Sequence, residues 1–291
     1  MKQSCTRDVV LSDKRTVRVR CWPGEGTPLV LLHGFCDSSE GWEPLARTSK
    51  HPALAFHLPG FGGSDRASSP RIDSFAQRIE AALDELEVAR AIVVGHSLGG
   101  AVAMSLANRI PERVASLVLL APAGFGWIPA ADLGRLGLTR TLAGIALPHL
   151  LGNALACSAA YTITVSHLRR PSRVMIERLC QAAPTLRPGM TDSLAALAAL
   201  NRERFVHTPE TYQGPVYAAW GARDLLVPPR HMDSVRRVLP QAELELWRAV
   251  GHYPQLEAPR RLARLIRTAC LASERRCLPM RSSHPGNELA A

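Results

Sequence analysis

Lysine is nearly missing from this chain. It stands only at Lys2, Lys14 and Lys50, although the formal net charge is +10. The basic excess is therefore arginine, and it is dispersed. Its densest set, Arg236, Arg237, Arg260, Arg261, Arg264 and Arg267, has the spacing of solvated faces on two late helices. Aromatics make up 5% of the residues and never interleave with a basic run, so nucleic-acid binding is not expected. Paired cysteine motifs are also lacking. The cysteines, at 5, 21, 36, 157, 180, 270 and 277, form no Cys-x-x-Cys and no His/Cys cluster at metal spacing. That pattern predicts reduced thiols, a cytoplasmic setting and no metal. No apolar leader occupies Met1 to Arg15, so no signal peptide is expected. The longest apolar stretch, Leu142 to Tyr161, is interrupted by Pro148, His149, Gly152 and Asn153 and reads as buried helices, not a membrane span. Internal repeats are absent as well.

What remains is a chain of 291 residues, 46% hydrophobic and 21% charged, enough to fold around a large core. Val17 to Cys21 alternates as an antiparallel edge strand does, and Leu29 to Leu32 is an unbroken apolar run of the kind found in buried parallel strands. Further strands are expected at Ala53–His57, Ala91–Val94, Val114–Ala121, Pro215–Trp220 and Glu243–Trp247. Helices are expected at Ser74–Leu86, with Ser74 as cap, at Leu98–Ile110, near Arg230–Leu239 and at Ala258–Leu271. This alternation predicts an α/β fold with a mostly parallel central sheet and helices on both faces. Residues 126–212 break the alternation. They read as a helical insertion with breakers at Pro129, Pro148, Pro171, Pro184 and Pro188, which leaves 1–125 and 213–272 as the core and 273–291 as a disordered tail.

Chemistry is signalled first at Gly95-His96-Ser97-Leu98-Gly99, where a serine flanked by glycines follows an apolar strand. A serine hydroxyl is a weak nucleophile, so it needs an exposed turn, a nearby base and donors aimed at the developing oxyanion. Read blandly, Ser97 is a helix-capping serine. Downstream, Asp224 follows the strand ending near Trp220, and His252 follows the strand at Trp247. In a parallel sheet the carboxyl ends of the strands share one edge, so Ser97, Asp224 and His252 are expected to meet there. Asp233 is a rival acid but falls within an expected helix; His149, His167, His207 and His231 are rival bases without a strand end before them. The oxyanion donors are expected to be the backbone N–H of Leu98 and that of Phe35, in the loop His33-Gly34-Phe35-Cys36. Loss of one such donor costs about 3 kcal/mol of transition-state stabilisation.

Several motifs recur together in one family. His33-Gly34-Phe35, Leu58-Pro59-Gly60-Phe61-Gly62-Gly63-Ser64-Asp65, Gly95 to Gly100, Pro111-Glu112-Arg113-Val114, Asp224 and Gly251-His252 resemble the α/β-hydrolase-fold serine hydrolases in order and spacing, over about residues 16 to 270. The resemblance implies Ser97 as nucleophile, His252 as base, Asp224 as orienting acid and a cap between the sixth and seventh strands. It implies no metal or organic cofactor.

The serine disfavours haloalkane dehalogenase and epoxide hydrolase chemistry, which this family runs on an aspartate. Two-step cleavage of a carboxylic ester, thioester or lactone is the leading expectation. Carbon–carbon hydrolysis of the meta-cleavage type, lyase, cyclase or perhydrolase chemistry at the same triad, and a non-catalytic ligand-binding protein are the alternatives. Cys36, Trp127 and Tyr253 are expected to line a substrate site for a small ester-like molecule with an apolar part. Cys36 is also the tempting alternative nucleophile, but no base stands beside it in sequence. Arg169, Arg170 and Arg173 offer either an anion site or a solvated face.

Overall fold

A computed structural model describes residues 2–164, 173–205 and 212–277. Its strands are β1 (Cys5–Val10), β2 (Thr16–Trp22), β3 (Leu29–Leu32), β4 (Ala53–Phe56), β5 (Ala91–His96), β6 (Val114–Leu120), β7 (Val216–Gly221) and β8 (Glu243–Trp247). They lie in one sheet in the order β1-β2-β4-β3-β5-β6-β7-β8. β1 and β2 pair antiparallel, β2 and β4 pair antiparallel, and every pairing from β4 through β8 is parallel.

All residues of β3, β5, β6 and β7 are buried, because a parallel strand covered on both faces has no side for water. The two faces still separate by the two-residue period. Val30 and Leu32 join a core with α2 (Ile72–Glu85) and α3 (Leu98–Arg109), while Leu29 and Leu31 join a second core with α1 (Glu43–Thr48) and the last helix. Register aligns the carboxyl ends: Leu32 lies beside Gly95, His96 beside Leu120, and Gly221 beside Trp247. The loops that follow therefore open on one edge.

Among the described residues, three α-helices, α4 (Gly137–Gly152), α5 (Ala154–Thr164) and α6 (Arg173–Glu203), stand between β6 and β7. The chain then adds α7 (Met232–Val238), α8 (Pro254–Glu257) and α9 (Pro259–Cys277).

Several local expectations are corrected. β2 is not an edge strand, because β1 covers it; β1 escapes detection because it is exposed at every position but Val9 and so carries no apolar alternation. Helix α2 begins at Ile72, and Ser74 lies inside it, its hydroxyl 2.7 Å from that of Ser69. Pro148 lies within α4, and α6 runs through Pro184 and Pro188. An interior proline costs a helix about 3 kcal/mol. Packing of α4 on α6 offsets this: a Cβ at Gly144 would sit 2.5 Å from the Thr191 hydroxyl. Residues 273–277, read as the start of a tail, continue α9; positions 278–291 lie outside the described residues, as do Arg169 and Arg170. Among the described residues no helix is long and apolar enough to cross a membrane.

Candidate active site

Strand β5 ends at His96 and α3 begins at Leu98, so the chain must reverse at one residue. Ser97 takes that turn with φ 52° and ψ −114°. A side chain held in this region costs on the order of 1–3 kcal/mol and persists only where its surroundings fix it. Here the Ser97 N–H donates to the Leu120 carbonyl at 2.9 Å, and the Ser97 carbonyl accepts from Gly100 at 2.9 Å and Ala123 at 3.0 Å. Close approach explains the flanking glycines: a Cβ at Gly95 would lie 2.3 Å from the Gly99 carbonyl oxygen, and one at Gly99 would lie 2.3 Å from that of Leu32. The hydroxyl makes no capping hydrogen bond, so Ser97 is not a capping serine. Gly100 and Ala101 N–H both close on the Ser97 carbonyl, whereas Leu98, as first residue of the helix, has no preceding turn to bond. Its N–H is thus available beside the hydroxyl, at the positive end of the helix dipole.

The loop after β3 lies directly against this turn, since a Cβ at Gly34 would fall 3.3 Å from that of Ser97. His33 braces that loop. Its Nε2 accepts from the Leu58 N–H at 3.0 Å, which leaves the proton on Nδ1 to donate to the Gly34 carbonyl at 2.8 Å. Burial pushes His33 down to about 3, so the ring stays neutral in this role. Phe35 and Cys36 follow, both half-buried. Burial, followed by the charge of Asp37, pushes the Cys36 thiol up and keeps it protonated, and its Sγ sits 3.4 Å from the Met190 sulfur.

Asp224 and His252 meet as the strand ends require. The buried carboxylate accepts from the Leu226 and Val227 N–H groups through Oδ1, both at 2.9 Å, and its Oδ2 lies 2.7 Å from His252 Nδ1. An acceptor there holds the proton on Nδ1 and leaves Nε2 as the basic nitrogen. The histidine loop is fixed from two sides. Glu257 accepts from the N–H of Gly251 at 2.9 Å and of Tyr253 at 3.1 Å, and the His96 ring lies 2.7 Å from the His252 carbonyl.

Tyr253 stands at the site, its ring centroid 5.4 Å from that of His252 and 5.2 Å from that of His96. Trp127 is 46% exposed, and its indole donates to Asp132 at 3.0 Å. Sequence reading missed Asp37, Gln255 and Glu257, all near the same edge. Glu257 carried a signal, an acid shortly after the histidine in Gly251-His252-Tyr253-Pro254-Gln255-Leu256-Glu257, but Asp37 resembles any turn residue.

The helical insertion reaches this edge at four places. Met190 touches Cys36, a Cβ at Gly189 would lie 2.7 Å from the Phe61 ring, and Asp192 forms a bidentate pair with Arg66 at 2.5 and 2.7 Å. Leu151, Cys157 and Cys180 gather with Tyr253 and Leu256 in one apolar cluster.

A serine on a strained strand-to-helix turn and a histidine held by a buried carboxylate both stand at the carboxyl edge of the parallel sheet. The sequence matches the family model of the alpha/beta hydrolase fold over residues 27–259, and the chain belongs to that family. It is 32% identical over 240 residues to the dihydrolipoyllysine-residue acetyltransferase component of an acetoin cleaving system from Pseudomonas putida, a match over 80% of this chain. The match spans only 60% of that relative's length. A 2-hydroxymuconate semialdehyde hydrolase from Pseudomonas putida is 28% identical, over 84% of this chain and 86% of that one. Among solved structures, an esterase from Thermogutta terrifontis superposes with a TM-score of 0.74 at 20% identity, over 92% of this chain and 99% of that one, a likeness that carries the fold.

Proposed function

We propose that the protein is a serine hydrolase that cleaves a carboxylic ester, thioester or lactone through an acyl-enzyme on Ser97. The reading rests on the 2.7 Å contact of His252 Nδ1 with Asp224 at the sheet edge where the strained Ser97 turn opens. Ser97 Oγ attacks the carbonyl carbon while His252 Nε2 takes its proton. The oxyanion that forms is held by the N–H groups of Phe35 and Leu98, and the leaving alcohol or thiol departs with the proton from His252. Water, deprotonated by His252, then attacks the acyl-enzyme and releases the acid. Asp224 holds the imidazole in the useful tautomer and stabilises its protonated form.

The insertion serves in this reading as a cap over 126–212 that excludes water and selects the substrate. Its touch points on Cys36, Phe61 and Tyr253 support an apolar acyl or alcohol group on a small-molecule substrate. A cytoplasmic setting belongs to the same proposal, supported by the free thiols of Cys5, Cys21, Cys36, Cys157, Cys180 and Cys270. Carbon–carbon hydrolysis is the second reading, favoured by the relative named as a 2-hydroxymuconate semialdehyde hydrolase.

Labelling by a fluorophosphonate probe, compared between wild type and Ser97→Ala, tests the nucleophile: wild type labels and the variant does not. An unlabelled wild type sinks the reading. A turnover panel of acyl esters, thioesters, lactones and vinylogous diketones then separates the two, because faster diketone cleavage selects the carbon–carbon reaction.

A further inference from the structure

Large apolar side chains stand exposed mainly in one stretch of the molecule: Leu136, Leu138, Leu142, Ile145, Leu150 and Leu155 are all open to solvent. Scattered singly, such residues are ordinary, whereas a contiguous set marks a surface that something else covers. Helix α4 orders this set. Leu138, Leu142 and Ile145 recur at steps of four and three, so they form one stripe along the helix, 72%, 56% and 44% exposed. Thr141, Ala146 and His149 are exposed beside them, and none carries an acid. The other side of α4 is the packed one, where Leu147 and Leu151 rest on the core and a Cβ at Gly144 would meet Thr191 of α6. A surface helix ordinarily turns its charges to water, and α4 turns leucines there instead.

The same stretch is one-sided in charge. No Asp or Glu stands from 133 to 176, a span that carries Arg135, Arg140, Arg169, Arg170 and Arg173. Asp132, just before it, is engaged by the Trp127 indole at 3.0 Å and the Asn201 amide at 3.2 Å. Arg135 is exposed ahead of α4, and Arg140 is half-buried near its start. Both stand at the positive end of the helix dipole, where a cation gains nothing from the helix itself.

We propose that α4 is a membrane-docking helix: it lies flat on an anionic lipid surface, with Leu138, Leu142 and Ile145 in the acyl boundary and Arg135 and Arg140 on the headgroup phosphates. The inference goes beyond the hydrolase reading and does not depend on what Ser97 attacks. With 16 residues α4 is too short to cross a bilayer, which takes about 20, but it suits an interfacial helix that sinks its apolar side by about 5–10 Å. Guanidinium groups fit the task because their forked donors match phosphate oxygens. A second copy of the chain fits worse. In a two-fold dimer the patch meets itself, so arginine approaches arginine with no acid in the span to separate them. A lipid surface supplies the apolar layer and the negative charge together.

Flotation of the full chain tests this, with vesicles of phosphatidylcholine containing about 30% phosphatidylglycerol set against phosphatidylcholine alone, at about 0.1 M salt. Wild type floats with the anionic vesicles, and Leu138→Gln with Leu142→Gln lowers its partition coefficient about tenfold. Both positions are exposed, so the thermal melt of that variant matches wild type. Arg135→Gln with Arg140→Gln also lowers partitioning about tenfold, and about 1 M salt does the same to wild type. Arg264→Gln with Arg267→Gln, an equal loss of charge in α9 on the second core, leaves it within about threefold. Leu142→Trp gains fluorescence quenching by lipids brominated along the acyl chain, and Leu246→Trp, at an exposed site on β8, does not. Failure of wild type to float, equal flotation on the two vesicle types, or wild-type flotation of the leucine variant overturns the proposal. So does a dimer that the leucine variant dissociates, in a wild type that leaves the vesicles unbound, because the face then belongs to a second copy.

Discussion

Strand β5 and helix α4 are both largely apolar, yet every residue of β5 is buried, while α4 leaves Leu138 72% and Leu142 56% exposed. The difference lies in how many sides each element has covered. β5 sits between β3 and β6 in the sheet and under helices on both faces, so any apolar residue placed on it leaves water. α4 packs on α6, where Gly144 and Pro148 are buried, and among the described residues its opposite side has no such layer. Hydrophobic burial therefore fixes the sheet as a unit, at about 25 cal/mol per Å² of apolar surface removed from water. The insertion joins that core through Met190, Ala196, Leu197, Leu200 and Phe205, and adds contacts with the sheet's carboxyl edge.

The sharpest contrast should appear in turnover. Ser97→Ala is expected to lower kcat by about 10⁴-fold or more with little change in stability, and Asp224→Asn by about 10⁴-fold through loss of the useful tautomer. Leu155→Ala in the insertion, where the side chain is 84% exposed, should leave stability within about 0.5 kcal/mol of wild type. Steady-state kinetics and urea melts read both, and a Ser97→Ala variant that still turns over would break the assignment. Next in size is a pair of glycines. Gly99→Ala drives a Cβ to 2.3 Å from the backbone oxygen of Leu32 and should cost several kcal/mol, since neither backbone can yield. Gly137→Ala, at the first residue of α4, meets nothing within 4 Å and should raise stability by less than about 1 kcal/mol. Equal losses from the two would mean that the insertion is packed as tightly as the sheet.

Legibility in the sequence follows the same division. The runs at Leu29–Leu32, Ala91–Val94 and Val114–Leu120 are readable because complete burial leaves no polar position, and β8 is readable at Glu243–Trp247 because Trp220 and Trp247 end successive strands on either side of a helix. Strand order then brings Asp224 to His252 with no further information. β1 was not readable, since its only buried residue is Val9. Neither was the continuity of α6 across Pro184 and Pro188, because local propensity votes against it and tertiary contact decides. Gln255 was invisible for another reason: a buried polar contact is defined by facing partners, here His96 and Gln255, and no spacing rule links them.

Acid should distinguish the regions next. His33 and His96 are core histidines that burial holds neutral, His33 down to about 3 and His96 well below its ordinary value. An unfolded histidine takes up a proton near 6.5, so below that pH the unfolded state binds protons that the folded core does not, and stability falls as pH drops toward about 3. Asp37 works the other way. Its folded value of about 7 exceeds the unfolded 3.8, so its contribution weakens as pH rises between those values. Two histidines outweigh one carboxyl below pH 6, and thermal melts should show net acid destabilisation on the order of a few kcal/mol by pH 4. Asp37→Asn should steepen that acid loss relative to neutral pH, because it removes the opposing group. A flat stability profile from pH 6.5 to 4 would mean the two rings are protonated in the folded state.

The smallest expected effect falls on the tie between the two regions. Arg66, in the loop after β4, and Asp192, in α6, form the bidentate pair that joins sheet and insertion, yet the Arg66 side chain is 60% exposed. Solvent screening limits such a pair to about 1 kcal/mol or less of stability, so Arg66→Ala should barely move the melt. Its consequence is positional. Asp192 is next but one after Met190, which rests on Cys36 beside Phe35, so freeing the pair lets that part of α6 drift over this edge. KM for a long-chain ester should rise several-fold while KM for an acetyl ester, too short to reach α6, stays within twofold. Salt should imitate the variant, because a screened pair holds less firmly as the Debye length shrinks to about 3 Å at 1 M. Wild type in high salt should therefore approach Arg66→Ala in low salt. If both esters weaken equally, the pair supports the sheet loop itself, and the insertion is held by its apolar contacts with the core.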